Sequence, residues 1–228
     1  MGIAQRYEQV KEEVAEECRR AGRNPDEVRL VAVSKTVGID GVGEAFDAGA
    51  RDFGENRPDQ IVPKSQAYPD ARWHFIGNIQ SRRIRDIVDS ATLIHSVYQE
   101  KHARKIDEVA RERGIFQDIL IEVNVSGEES KSGVSPDEAK GLVAICEMLP
   151  NVSVRGFMTM APQGDLDVAA RCFSGLSELA RGVRASLPAE SAAAFNELSM
   201  GMSEDWREAV RAGATIVRIG RAIFSDHF

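Results

Sequence analysis

The sequence predicts an α/β fold, a single (β/α)8 TIM-type barrel with an additional N-terminal helix, and three observations carry that expectation. About eight short apolar segments rich in β-branched residues recur along the 228 residues. Segments with helical periodicity separate them, and no long linker or shift of composition interrupts the alternation. Strand order is not written in a sequence, so a doubly wound open sheet stays open as the competing arrangement. The length suits one α/β barrel, and one domain is expected over residues 1–228.

The first helix shows in Ile3, Tyr7, Val10, Val14 and Cys18, whose three- and four-residue spacing makes one buried stripe, with Gly22 as a left-handed stop. Residues 28–33 (VRLVAV) read as a strand covered on both faces of a parallel sheet. Val42, Ala45 and Phe46 mark a short helix stopped near Gly49, residues 51–53 a strand, Ile61 a helix, and residues 72–75 the third strand. Residues 92–95 follow as a strand. A helix over 99–113 comes next, with Ala103, Ile106 and Ala110 on one face and Gly114 as its stop, and then the strand 118–123 (DILIEV).

Ser135, Pro136, Asp137 and Glu138 form a helix start: an N-cap serine, a proline at the first helical position, and acids near the positive end of the dipole. Ala139, Leu142, Val143 and Cys146 make its buried face. Residues 152–155 are a strand, Phe173, Leu176, Ala180 and Val183 mark a helix, and residues 195–198 a weaker strand. Ser203, Glu204 and Asp205 are expected to cap a last main helix through Trp206, Ala209 and Val210, ending at Gly213, before residues 215–219 (TIVRI) close the series.

With 36 acidic against 29 basic side chains the net charge is −7, which disfavours general binding to nucleic acid or anionic membranes. Cys18, Cys146 and Cys172 are far apart and odd in number, so they read as reduced packing residues. The first 20 residues carry acids throughout and do not look like a targeting segment. No stretch reaches the roughly 18 apolar residues that a bilayer span requires. The expectation is a cytoplasmic protein.

In a parallel barrel, chemistry collects where the strands end. Lys35 sits there, closing the run LVAVSK over 30–35. Such a lysine alone is an ordinary solvated residue, but a partly desolvated ammonium is driven toward the neutral amine, which attacks an aldehyde to form an imine. Residues 198–203 (LSMGMS) and 218–221 (RIGR) end the last two strands. Their glycines let backbone approach a ligand, and a helix beginning at Ser203 would offer free N–H groups, so the pair suits a phosphate; equally, Gly201 and Gly220 could serve only tight turns. Arg218 lies in an otherwise apolar strand, either snorkelling at the rim or contacting a ligand.

Other motifs carry less. Residues 124–133 (NVSGEESKSG) fail the Walker A pattern and read as a polar loop at the rim. His74, His95, His102 and His227 lack metal-ligand spacing, no HExxH is present, and no structural metal is expected. A GxSxG nucleophile elbow is also missing.

The ordered set of residues 30–36 (LVAVSKT), 53–56 (FGEN), 73–80 (WHFIGNIQ), 94–97 (IHSV), 123–133 (VNVSGEESKSG), 156–162 (GFMTMAP), 198–203 (LSMGMS) and 216–224 (IVRIGRAIF) resembles, over nearly the whole chain, the pyridoxal phosphate homeostasis proteins (the YggS/PROSC family). The resemblance implies a barrel similar to the N-terminal domain of fold-type III enzymes such as alanine racemase. By motif, Lys35 matches the lysine that holds pyridoxal 5′-phosphate (PLP) as a Schiff base. Ser199, Met200, Gly201 and Ser203, with Gly220 and Arg221, match the phosphate cup; Arg218 matches the arginine facing the pyridine nitrogen, and Asn56 a polar residue near the cofactor. Departures from the family pattern are Arg221 where threonine is frequent, Asn78 where histidine is familiar, and Arg83 where a lysine is expected.

An arginine opposite the ring nitrogen donates a hydrogen bond and leaves that nitrogen unprotonated, which weakens the ring as an electron sink. The chain has only Tyr7, Tyr68 and Tyr98, with no further domain to deliver one of them as a second acid/base. The expectation is a carrier that holds PLP reversibly, releases it to apo-enzymes as transient recipients, balances cofactor and amino-acid pools, and works as a monomer. A racemase-like enzyme and a barrel binding another phosphorylated metabolite are the alternatives.

Overall fold

The structure is a computed structural model that describes every residue except His227. Helix α1 (Ile3–Arg20) leads through a short 3-10 turn (Pro25–Glu27), capped by the side chain of Asn24, into strand β1 (Arg29–Val33). The order continues as α2 (Ile39–Asp47), β2 (Asp52–Glu55), α3 (Pro58–Ala67), β3 (Arg72–Phe75), α4 (Ile84–Val88), β4 (Leu93–Val97), α5 (Glu100–Arg113), β5 (Gln117–Glu122), α6 (Pro136–Cys146), β6 (Val152–Met158), α7 (Leu166–Arg184), α8 (Ala189–Ala194), β7 (Glu197–Ser199), α9 (Trp206–Arg211), β8 (Ile216–Ile219) and α10 (Arg221–Phe224).

Each strand pairs in parallel with its sequence neighbour, and β8 pairs with β1, so the sheet closes into an eight-stranded barrel rather than an open doubly wound sheet. Closure sets Val31 beside Arg218 and Ala32 beside Ile219, bringing the ends of the first and last strands to one rim. Alternation then sorts the side chains. Val31, Val33, Leu93, Leu120, Met158 and Ile216 form a small apolar cluster separate from the main core that packs between sheet and helices. A register shift between Ile94 and Val97 marks an irregularity of the β4 ladder at His95 and Ser96.

The expected α1 stripe is buried, and α1 lies against α2, α9, α10 and β1, covering the seam where the barrel closes. Its buried Glu17 accepts from Arg211 of α9 at 2.7 Å, pinning helix to helix across that seam. The capping box expected at Ser135 is present, with Glu138 N–H donating to Ser135 Oγ at 3.4 Å and Ser135 N–H to Glu138 Oε2 at 2.9 Å. All three cysteines are free and buried, and burial pushes the Cys146 thiol up to about 12. Among the described residues no helix is long and apolar enough to cross a membrane.

The structure departs from the expected elements in several places: the short helices α8 and α10 are not foreshadowed by any apolar stripe, and the strand expected over 195–198 is β7 at Glu197–Ser199. Between β3 and β4, where no helical stripe is legible, a 3-10 turn (Ser81–Arg83) runs into the five-residue α4. The helix expected from Ser203 begins at Trp206, because Asp205 rather than Ser203 occupies the N-cap position, and residues 203–205 form a turn. That helix has six residues.

Candidate functional site

A cavity of about 310 Å³ opens at the C-terminal ends of the strands. Lys35 follows β1, Asn56 follows β2, Ser203 lies between β7 and α9, and Arg218, Gly220 and Arg221 come from β8 and its exit; all six line the cavity. The remaining expected residues, Ser199, Met200 and Gly201, are buried and are not among its lining. Gly201 has φ +89°, and an added Cβ would stand 2.6 Å from Ala209 Cβ and 2.9 Å from Trp206 Cα, so its bare backbone serves the turn into α9. Gly220 is different: a Cβ there would come within 3.1 Å of Val33 O, where β8 meets the end of β1 beside the cavity.

Lys35 is exposed, so the protein itself does not supply the desolvation expected of a buried amine. Strand β1 ends at Val33, and the turn beyond it carries the side chain to the cavity mouth. Behind that strand end lies a cluster that the sequence does not announce. Lys64 Nζ, 1% exposed, reaches Glu55 Oε1 at 2.5 Å and Ser34 O at 3.0 Å, while Ser34 Oγ donates to the same Glu55 oxygen at 2.7 Å. One buried ion pair thus fastens the backbone just before Lys35 to the residue just before Asn56.

Arg218 is 4% exposed and does not snorkel. Its Nη1 donates to Ser199 Oγ at 2.6 Å and its Nη2 to Thr159 O at 3.0 Å. Burial pulls the guanidinium down to about 10, against the opposing charges of Asp205 and Glu122, so it stays protonated at neutral pH. Glu122, 2% exposed, is the complementary case: burial pushes it up to about 7, the charge of Arg218 offsetting only part of the rise, and its Oε2 has no hydrogen-bond partner.

At the opposite edge Arg221 is exposed and pairs with Glu204 at 2.8 Å, and Ser203 Oγ accepts from Ala222 N–H at 3.5 Å. Asn56 Oδ1 is buried and has no partner. The polar loop over 124–133 reaches the rim, where Ser132 Oγ donates to the cavity-lining Asn78 Oδ1 at 3.3 Å. Arg83 instead pairs with Asp86 at 2.6 Å.

Gly77 fixes the spacing of this rim. A Cβ on it would stand 2.0 Å from Asn56 O, so the chain after β3 lies directly against the chain after β2. Gly77→Ala is therefore expected to destabilise the protein by about 1–3 kcal/mol through overpacking, read as a lower urea midpoint at unchanged slope.

A larger groove of about 520 Å³ lies along α1, lined by Glu12, Glu13, Glu16 and Glu17 together with Arg20 and Arg207, and its carboxylates are already paired with arginines, Glu12 and Glu16 with Arg19, Glu13 with Arg207 and Glu17 with Arg211. Among the described residues no group of three or more histidine, cysteine, aspartate and glutamate side chains is placed to hold a metal ion; His227 lies outside them.

Comparison with known proteins fits this geometry. The family model for the alanine racemase N-terminal domain matches residues 7–227. A protein named pyridoxal phosphate homeostasis protein in Aquifex aeolicus (strain VF5) is 39% identical over 229 residues, covering 99% of both chains. The chain belongs to the pyridoxal phosphate homeostasis protein family. This member of the homeostasis family also superimposes with a TM-score of 0.81 on PipY of Synechococcus elongatus PCC7942, solved with PLP bound; the two are 32% identical, covering 93% of this chain and 100% of PipY. Alanine racemase of Clostridium difficile 630 shares the fold alone, at 13% identity and a TM-score of 0.69, covering 94% of this homeostasis-family chain and 55% of the racemase.

Proposed function

We propose that this chain binds pyridoxal 5′-phosphate, holds it as a reversible Schiff base on Lys35 and hands it to apo-enzymes, without catalytic turnover. The observation that carries the reading is the convergence of Lys35, Arg218 and Arg221 on one cavity at the barrel mouth. The fit to the group is chemical: an amine for an aldehyde, a donor-only guanidinium at the floor, and a second guanidinium with a serine hydroxyl at the wall. The buried, unpartnered Oδ1 of Asn56 offers an acceptor to a ligand donor. The bound cofactor would supply the aldehyde carbon and, in enzymes of its class, an electron-withdrawing ring.

Lys35 would hold the group through its Nζ: the amine would add to the aldehyde carbon with loss of one water, and hydrolysis would return both partners. Arg221 gives one donor to Glu204 and keeps others for a phosphate, so its charge substitutes for the hydroxyl contact of the family pattern. Arg218, protonated at neutral pH, would offer the ring nitrogen a donor and no acceptor. No tyrosine, histidine, cysteine or carboxylate is among the described lining residues, which supports holding over proton transfer.

One domain over 1–228, a monomeric state and a cytoplasmic location complete the proposal. Borohydride reduction of the loaded protein followed by peptide mapping is expected to place a pyridoxyl mass on the Lys35 peptide. Modification elsewhere with Lys35 clean would overturn the assignment, and racemisation of an amino acid lost on Lys35→Ala would replace the carrier by an enzyme.

A further inference from the structure

A file of buried polar side chains crosses the barrel interior beneath the cavity. Asp52 Oδ1, at the start of β2, lies 3.0 Å from His74 Nε2, and His74 Nδ1 lies 2.9 Å from His95 Nε2. His95 Nδ1 lies 2.8 Å from Ser199 Oγ, which receives Arg218 Nη1 at 2.6 Å. Each of the five side chains is buried, and they come from β2, β3, β4, β7 and β8.

The two ends dictate the direction of every bond between them. A guanidinium only donates and an ionised carboxylate only accepts. Burial pushes Asp52 up, but hydrogen bonds from His74 and Arg72 outweigh it and hold the carboxylate at about 2. His74 therefore gives its Nε2 proton to Asp52. Burial favours the neutral form of both rings: His74 against the pull of Asp52, with Arg29 and Arg72 nearby, and His95 with further repulsion from His74, Arg218 and Arg29. A neutral ring carries one proton, so His74 Nδ1 is bare and accepts from His95 Nε2, and His95 Nδ1 is bare and accepts from Ser199. The serine lone pairs are then left for Arg218.

We infer that His74 and His95 are positioning residues for Arg218: through Ser199 they form a one-way hydrogen-bond file, terminated by Asp52, that fixes the guanidinium plane at the cavity floor. The inference deepens the cofactor reading and rests on it for the purpose of that plane. A serine alone is free to rotate its hydroxyl toward Arg218 or away; the bare His95 nitrogen removes that freedom. A carboxylate in the place of Ser199 would pair with the guanidinium and cancel its charge beside the cavity, whereas the file holds the plane and keeps the counter-charge two imidazole rings away. Asp205 and Glu122, the carboxyl groups that act on Arg218 electrostatically, do not replace Ser199 as its hydrogen-bonded partner.

The test uses the full chain, 15N-labelled and free of cofactor. Side-chain 1H–15N correlations are expected to report both imidazoles as the neutral Nε2–H tautomer at pH 7.5, with resolved Arg218 Nη protons. A charged ring at that pH, or the Nδ1–H tautomer of either, overturns the file. His95→Leu removes the acceptor for Ser199 and is expected to broaden the Arg218 signals and weaken the apparent Kd for PLP roughly tenfold. His95→Asn, whose amide oxygen stands near the lost Nδ1, is expected to keep the Arg218 signals and most of the affinity. Equal behaviour of the two folded variants overturns the inference, and if His95→Leu does not fold, the wild-type tautomers decide. A wild-type chain that binds no PLP sinks the cofactor reading, while the imidazole and guanidinium signals still judge the file.

Discussion

Lys64→Met is expected to cost about 3–5 kcal/mol of folding stability, because it leaves the Glu55 carboxylate buried without its cation. The pair sits where solvent cannot take over, with Glu55 0% and Lys64 1% exposed, and Glu55 Oε2 already lacks a partner. Removing both charges is a different matter. The double variant Lys64→Met with Glu55→Leu is expected to recover most of the loss, since two apolar side chains of similar volume can fill the same space without desolvating any charge. Urea denaturation of the four proteins of this cycle measures the coupling. A double variant no better than Lys64→Met would mean that the pair matters through its bonds to Ser34 rather than through charge balance. Because Ser34 and Glu55 precede Lys35 and Asn56, loss of the pair should also slow formation of the borohydride-fixed adduct.

Glu122→Gln is expected to act in the opposite direction. Burial raises the Glu122 carboxyl from its ordinary 4.5 to about 7, so the folded protein holds this proton more tightly than the unfolded chain does. Its favourable contribution is complete below pH 4.5 and is lost as pH rises through 7, a swing on the order of 3 kcal/mol. Glutamine is neutral throughout and skips that loss. The variant should match the wild type near pH 4.5 and exceed it by on the order of 3 kcal/mol above pH 7, less whatever attraction the ionised carboxylate offers Arg218. Denaturation midpoints at pH 4.5, 6 and 8 read this directly; parallel curves for the two proteins would refute the shifted carboxyl.

Most of the barrel is legible in the sequence because its signals are local. Residues 28–33, 118–123 and 215–219 are short runs rich in β-branched residues, and β1, β5 and β8 fall on them within one residue at each end. Helix α4 is not legible, since five residues cannot complete the two turns over which a buried stripe repeats. The start of α9 is misread for another reason: Ser203, Glu204 and Asp205 include two residues able to cap, and only tertiary packing, with Ser203 turned toward Ala222 and Asp205 accepting from Met202 N–H at 2.6 Å, decides between them.

At the site, residues at strand ends are legible because the barrel topology assigns them a place. Interior partners are not, because spacing along the chain says nothing about who meets across the lumen. His74 and His95 look like failed metal ligands in a linear reading, yet they bond to each other. Lys64 carries one usable clue: it lies three residues after the fully buried Ile61 on α3, on the stripe that faces the core, so a charged side chain there demands a buried partner.

Closure of the sheet between β1 and β8 has a consequence for how the protein is made. Lys35 leaves the ribosome before Arg218, about 180 residues of synthesis apart, or roughly 10–40 s at cellular elongation rates. The strands between them can form nearest-neighbour pairs as they emerge, but the β1–β8 ladder is the pairing of greatest sequence separation and cannot form before the last strand arrives. The cavity is therefore absent from any nascent chain that has not yet exposed β8. Binding competence arrives in a single late step, together with completion of the fold, so a small molecule that needs both rims is bound by finished barrels only.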